Sequence, residues 1–157
     1  SGASRKEGES FSFFTSGEEI SWSAPVPGYG FATGLEGVPP DWEYDRISAL
    51  YPFPPKDWTD LTPALEAGML PFIDRFKGCY PGQEVVELSL NVGHPVRVLI
   101  AVEGDLPLRS GEKVALLPQG EGLICSVASA GDAVRAFLRV PWKMRDSAPA
   151  NFRKIRE

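Results

Sequence analysis

A cysteine placed between two glycines is the feature of this sequence with the clearest chemical potential. Cys79 lies in the stretch FKGCYPGQEVV, two residues after Lys77. A cysteine reacts as its thiolate, and a neighbouring ammonium group favours that charged form. Two polar residues, Gln83 and Glu84, follow the cysteine. Gln83 can donate or accept a hydrogen bond, and Glu84 can act as a base or a ligand. The stretch is therefore a candidate for a functional thiol with Lys77 as its cationic neighbour.

The backbone around this cysteine is predicted to turn sharply. Gly78 and Gly82 allow a tight bend or a close approach to a ligand. Pro81 and Gly82 fit the two central positions of a type II turn, which would present Tyr80 and Gln83 on either side. The same glycines also suit a structural corner in which the cysteine is a small buried hydrophobe. Both interpretations stay open on these residues alone.

The other cysteine and the single histidine are predicted to be structural. Cys125 lies in LICSVAS, an apolar strand in which a cysteine usually packs. His94 follows a glycine and precedes a proline, which is typical of a turn. Two cysteines and one histidine cannot complete a closed zinc site, and no bound metal is expected.

The composition favours a compact domain and disfavours charged polymers as partners. Of 157 residues, 43% are hydrophobic, enough for a sizeable core. Sixteen basic and twenty-one acidic residues give a net charge of −5, which argues against direct nucleic-acid binding and against an anionic membrane surface. No run of eighteen apolar residues occurs, and the polar start resembles a frayed end rather than a signal peptide. We expect a cytoplasmic protein with free thiols.

Short apolar runs punctuated by glycine and proline predict the elements that position Cys79. FSFFT, EISWSA and GYGFAT are predicted strands, and VPPDWEYDRISALY is a predicted helix with Asp41 at its N-terminal end. LTPALEAGML predicts a short helix with Thr62 as cap, Pro63 in the first turn and Gly68 past its end.

After the cysteine the spacing changes to that of an antiparallel sheet. The predicted strands are ELSLN, VRVLIAVE, EKVALLP, LICSVASA and AVRAFLRV. The predicted fold class is α+β, a partial mixed sheet-and-helix N-terminal region followed by a small antiparallel C-terminal β-barrel. The predicted boundaries are 1–78 for the α+β region, 79–145 for the barrel and 146–157 for a polar tail.

Residues 77–84 also carry a family resemblance. They match every specified position of the pattern lysine-glycine-cysteine-tyrosine-x-glycine-glutamine-glutamate. This pattern resembles the signature of the YgfZ branch of the YgfZ/GcvT folate-binding proteins, relatives of the aminomethyltransferase of the glycine cleavage system. TPALEAG upstream and GHPVRVLIAVEG downstream are similar to the family's flanking segments, with Glu66 and Arg97 at matching positions. Glu87 and Leu88 depart from the family, which usually has an arginine soon after the signature.

The resemblance implies a GcvT-like, partly ferredoxin-like N-terminal region and a protein that assists iron–sulfur cluster assembly or repair through Cys79. It implies Lys77 as a second catalytic residue. It also implies tetrahydrofolate as the cofactor, with Glu66 and Arg97 facing it, and iron–sulfur proteins or their assembly machinery as partners. The chain is shorter than is usual in the family, and we expect a shortened member or a C-terminal fragment.

Three functions remain open at this point, and a redox switch in which Cys125 resolves Cys79 is a distant fourth because Cys125 is predicted to lie inside the barrel. The first is an accessory protein in which Cys79 handles sulfur, a cluster intermediate or a thiol adduct. The second is an enzyme, a folate-dependent one-carbon transferase. The third is a non-catalytic binding module with a buried Cys79 in a structural corner. An accessory protein is the expectation that we carry forward.

Overall fold

The fold comes from a computed structural model of the chain. It describes the backbone of residues 2–5, 12–15, 18–21 and 29–32, and the backbone and side chains of residues 41–74 and 77–155. The chain divides into two compact units, residues 1–51 with the last residue, and residues 52–156. The whole signature therefore belongs to the second unit.

The described residues at the start of the first unit form four short strands, β1 to β4. They are β1 (Gly2–Arg5), β2 (Ser12–Thr15), β3 (Glu18–Ser21) and β4 (Tyr29–Ala32). Strand β2 pairs with β3 and β1 pairs with β4, both antiparallel. The three predicted strands are confirmed where they fall on described residues, and their remaining residues lie outside the described part. The predicted frayed start is wrong over β1, because its backbone pairs with β4.

The first unit also contains helix α1 (Trp42–Ser48), as the sequence predicts. Asp41 precedes it without a side-chain capping bond. The helix ends earlier than predicted because Leu50 takes a left-handed conformation, with φ of 55°. The Tyr51 N–H then donates to the Arg46 carbonyl oxygen at 2.8 Å, which closes the helix end. Arg46 is buried, and its guanidinium donates to Glu43 Oε2 at 2.7 Å.

The second unit opens with a turn where the sequence predicts a short helix. The Ala67 N–H donates to the Pro63 carbonyl oxygen at 3.0 Å, and the chain then leaves the helical path at Gly68, which has φ of 75°. Thr62 does not cap this turn, since its Oγ1 accepts a hydrogen bond from the backbone N–H of Thr59 at 3.0 Å. The helix prediction is wrong because the chain makes only one helical turn before Gly68. A short 3-10 segment, Leu70–Phe72, follows.

Helix α2 (Gln83–Val92) replaces the predicted strand ELSLN. Leu88 and Leu90 alternate with polar residues, which led to the strand prediction, but Val86 is the residue of this helix that the fold buries. A glycine flanks each end of the helix, Gly82 before it and Gly93 after it. Helical spacing, not alternation, is therefore the period of this segment.

The rest of the second unit is a curled antiparallel sheet of five strands that forms about half of a barrel. Its strands are β5 (Arg97–Gly104), β6 (Lys113–Ala115), β7 (Glu121–Ala130), β8 (Ala133–Pro141) and β9 (Phe152–Lys154). Their order across the sheet is β6-β7-β8-β5-β9. Strands β5 to β8 confirm the predicted segments. The predicted polar tail is wrong over β9, which pairs with β5.

The core of the sheet lies on one face. Aliphatic side chains of β5, β7 and β8 form it together with Leu116, and its buried members are Ile100, Val102, Leu116, Ile124, Ala136, Leu138 and Val140. Alternation along each strand places these side chains on the same side. The α+β class and the antiparallel sheet are as predicted. None of the helices in the described segments is long and apolar enough to cross a membrane.

Candidate functional site

The signature lies directly before α2, and its cysteine is exposed. Cys79 is a free thiol on the surface, whereas Cys125 is free and buried. Gly78 and Glu84 are exposed as well, while Tyr80 and Gln83 are half-buried. The structural corner with a buried cysteine that the sequence left open is therefore not what this segment forms.

A type II turn connects the cysteine to α2, as the sequence predicts. The Gln83 N–H donates to the Tyr80 carbonyl oxygen at 3.2 Å, which closes the four-residue turn. Gly82 has φ of 84° and ψ of −1°, the values that the third position of a type II turn requires. The Val86 N–H then donates to the Gly82 carbonyl oxygen at 3.2 Å. The turn therefore connects Cys79 to the first turn of a regular helix.

The two glycines of the signature have different roles. Gly82 needs its left-handed conformation for the turn, which strains any residue with a Cβ atom. Gly78 has no positive φ, and a Cβ added there would have no atom of the described residues within 4 Å. The second glycine therefore builds the corner, and the first leaves open space beside Cys79.

Lys77 has a defined partner within the signature. Its Nζ lies 5.2 Å from the centre of the Tyr80 ring, a cation–π contact. Its backbone N–H donates to Asp74 Oδ1 at 3.2 Å. Sequence reasoning assigned Lys77 to the thiol, but no spacing rule identifies Tyr80 as the side chain that it contacts. The Tyr80 hydroxyl is buried and has no hydrogen-bond partner within the described segments.

Glu66 and Arg97 lie on neighbouring elements but remain separate from the signature. Glu66 is half-buried in the turn that ends at Gly68, and Arg97 is exposed at the start of β5. A Cβ added at Gly68 would lie 3.7 Å from the Leu99 Cβ, so this turn packs beside β5. Within residues 41–74 and 77–155, no hydrogen bond or ion pair links Glu66 or Arg97 to Cys79.

Cys125 is a packed residue, as its apolar strand predicts. Burial is the main cause of a raised pKa at its thiol, and the carboxylate of Asp57 adds to the rise. Arg139 acts in the opposite direction and lowers that pKa. A raised pKa keeps the thiol protonated at neutral pH, which makes it a poor nucleophile. Cys125 is therefore a natural internal control for Cys79.

His94 lies in the loop between α2 and β5, in agreement with the predicted turn. Its ring stacks on Trp142 with centroids 5.2 Å apart and planes at 8°. Its Nδ1–H donates to the Pro95 carbonyl oxygen at 2.9 Å. Arg145 lies 4.7 Å from the Trp142 ring centre. These contacts support a structural role for His94.

Sequence reasoning missed a buried polar contact in the second unit. Arg139 of β8 donates from a guanidinium NH2 group to the backbone carbonyl oxygen of Asp57. Asp57 is fully buried, and its Oδ2 accepts a hydrogen bond from the Phe53 N–H at 2.9 Å. The two residues are far apart in sequence, and no motif announces their contact. They tie the loop after residue 52 to the sheet.

No group of three metal-ligating side chains is present in the part of the chain that the structure describes. The signature itself carries one thiol and one carboxyl group, Cys79 and Glu84.

Comparison with known proteins leaves the family of the chain untested. No protein-family model matches the chain, and no curated protein matches it significantly. The resemblance carried by residues 77–84 therefore stays a prediction from the sequence.

Proposed function

We propose that the chain is a cytoplasmic accessory protein for iron–sulfur cluster assembly or repair, similar to the YgfZ branch, and that Cys79 is its working thiol. The observation that carries this proposal is the exposure of Cys79 within an intact signature, directly before the turn that leads into α2. Free thiols fit a reducing compartment, since neither cysteine forms a disulfide. The iron–sulfur cluster is the cargo in this function, and the chain does not keep it.

The proposed chemistry needs only one ligand exchange at Cys79. The thiol releases its proton to water, and the resulting thiolate donates an electron pair to an iron atom of a cluster intermediate. In exchange, the iron loses one ligand, a thiolate of the protein that delivers the cluster, which leaves with its electron pair and takes up the released proton. One sulfur–hydrogen bond and one iron–sulfur bond break, one of each forms, and no electron transfer is required. The open space at Gly78 lets the surface of another molecule approach the sulfur.

In this proposal, Tyr80 positions the charge of Lys77, which stabilises the anionic thiolate. The cation–π contact, at 5.2 Å, keeps the ammonium group of Lys77 within the signature. A positive charge beside an anionic thiolate or a cluster sulfide is favourable, and its effect weakens with salt because the site is exposed. Lys77 is therefore a positioning and electrostatic residue.

Tetrahydrofolate has no assigned step in this function. The family's folate-facing positions correspond to Glu66 and Arg97, which form no hydrogen bond or ion pair with the signature in the described residues. Arg97 is exposed on the end of a strand. The folate-dependent transferase therefore stays an alternative that rests on the sequence resemblance alone.

The test of the proposed function is the substitution Cys79→Ser in cells whose iron–sulfur enzyme activity depends on this chain. The expected result is loss of that activity to the level of cells without the chain. Cys125→Ser is the matched control, because it changes a buried thiol, and it should retain support while it remains folded. Full support by Cys79→Ser would show that the proposal is wrong.

A further inference from the structure

One face of α2 carries apolar side chains that are exposed. Val85, Leu88 and Val92 are 62%, 61% and 76% exposed. They follow helical spacing and lie on one side of the helix, roughly 130° around its axis from the buried Val86. We call these three residues the α2 outer face. Three aliphatic side chains on one exposed face are more than scattered surface apolarity.

The charge around this face indicates the chemistry of what covers it. Glu84 is exposed in the first turn of α2 and lies one helical turn before Leu88. The helix contains no lysine or arginine. The carboxylate of Glu84 at the edge of this face repels anionic membranes and nucleic acid, and it attracts an apolar surface flanked by lysine or arginine.

The area of the α2 outer face indicates how stable a complex formed on it can be. A stable interface buries about 800 Å² on each partner, and three aliphatic side chains supply only a fraction of this area. The face alone is therefore too small for a permanent dimer. Its size fits the brief association of an accessory protein with successive clients.

We infer that the α2 outer face is the docking site for the client protein, and that the client presents an apolar helix flanked by lysine or arginine. This inference rests on the proposed function, because the type II turn joins Cys79 to the same helix. A client helix packed on Leu88 lies beside the first turn of α2, to which the turn carrying the thiol is fixed. Docking and thiol chemistry are thus coupled through one rigid element.

The direct test uses a synthetic helical peptide with leucines on one face and lysines beside them. A second peptide has glutamates in place of the lysines. The full chain should bind the lysine peptide, and Leu88→Lys should weaken this binding about tenfold or more, since it removes apolar burial and adds a like charge. Leu61→Lys is the matched control, because Leu61 is 88% exposed and lies outside α2, and it should bind as the wild type does.

Three results would overturn the docking site. The first is equal binding of the lysine peptide by Leu88→Lys and the wild type. The second is equal binding of the glutamate peptide. The third is an association that Leu88→Lys abolishes, either concentration-dependent dimerisation in sedimentation or binding to anionic phospholipid vesicles. The face would then bind a second copy of the chain or a membrane.

The same variants separate this inference from the proposed function. Cys79→Ser should bind the lysine peptide as the wild type does and yet fail to support the iron–sulfur enzyme. Leu88→Lys should also fail to support the enzyme, while a small thiol reagent still labels Cys79 at the wild-type rate. If Leu88→Lys supports the enzyme fully, the docking site is wrong even where Cys79→Ser behaves as expected. If Cys79→Ser supports the enzyme, the function is wrong whichever way the peptide binds.

Discussion

At the scale of the residue, exposure separates the two cysteines of this chain. Cys79 lies on the surface beside a position without a side chain, and Cys125 is buried in a strand with a raised pKa. A thiol must reach its reaction partner as well as ionise, and the burial of Cys125 hinders both. The ammonium group of Lys77 lies over the ring of Tyr80, the side chain that it contacts within the signature.

The first prediction concerns labelling of these thiols by a small alkylating reagent. At neutral pH and under native conditions, Cys79 should react roughly a hundredfold or more faster than Cys125, because Cys125 must wait for local opening of the sheet. Mass spectrometry after limited labelling gives both rates in one sample. In denaturant the two rates should become similar, which is the control. Equal rates in the native chain would contradict the exposure of Cys79 and the burial of Cys125.

At the scale of the element, the type II turn and the sheet ion pairs are the features that local chemistry controls. The turn depends on the left-handed conformation of Gly82. The sheet depends in part on Glu103, whose two carboxylate oxygens accept hydrogen bonds from Arg135 of β8, at 2.6 Å, and from Arg153 of β9. These three residues face one another in the strand register, so they connect β8, β5 and β9.

The second prediction compares alanine at the two glycines of the signature. Gly82→Ala should lower the free energy of unfolding by about 1 kcal/mol, because a Cβ atom is strained at a φ of 84°. Gly78→Ala is the matched control and should leave stability nearly unchanged, since the added Cβ has no atom of the described residues within 4 Å. Urea unfolding curves measure both. The turn is misassigned if Gly78→Ala is the more damaging of the two.

The third prediction concerns the acid dependence of stability through Glu103. Hydrogen bonds from Arg153 and Arg135 hold the pKa of this carboxyl below its usual range. A lowered pKa in the folded state means that the stabilisation is present above the unfolded value, near 4.3, and is lost as pH falls through the folded value. Glu103→Gln should therefore cost about 1 kcal/mol at pH 7 and almost nothing below the folded pKa.

Urea unfolding of the wild type and of Glu103→Gln, measured from pH 7 downward, checks this difference. High salt should reduce it at pH 7, because Arg153 is well exposed. A cost that is the same at all pH values would indicate a packing effect in place of the ion pairs.

At the scale of the whole molecule, local patterns predicted the sheet and missed what depends on distant contacts. The alternation of Val98, Ile100 and Val102 predicts β5 because one face of that strand is buried. Strand β9 was missed because it forms by pairing with β5, as Phe152 does with Gly104, and its polar sequence has no alternation that predicts a strand. Leu88 and Leu90 misled the prediction of α2, since alternation over four residues also occurs on a helix.

The candidate site shows the same division between local and distant determinants. The type II turn was predictable from Pro81 and Gly82, because turn geometry depends on neighbouring residues. The exposure of Cys79 was not, because it depends on the packing around the segment. The α2 outer face was readable in principle from the spacing of Val85, Leu88 and Val92, once the segment is known to be a helix.

The measurement that bears most directly on the function is the activity of an iron–sulfur enzyme in cells that carry Cys79→Ser, with the purified variant unfolding at the wild-type urea midpoint. The proposed function predicts enzyme activity as low as in cells without the chain, and wild-type activity with the folded control Cys125→Ser. Wild-type activity with Cys79→Ser would contradict the role of this thiol.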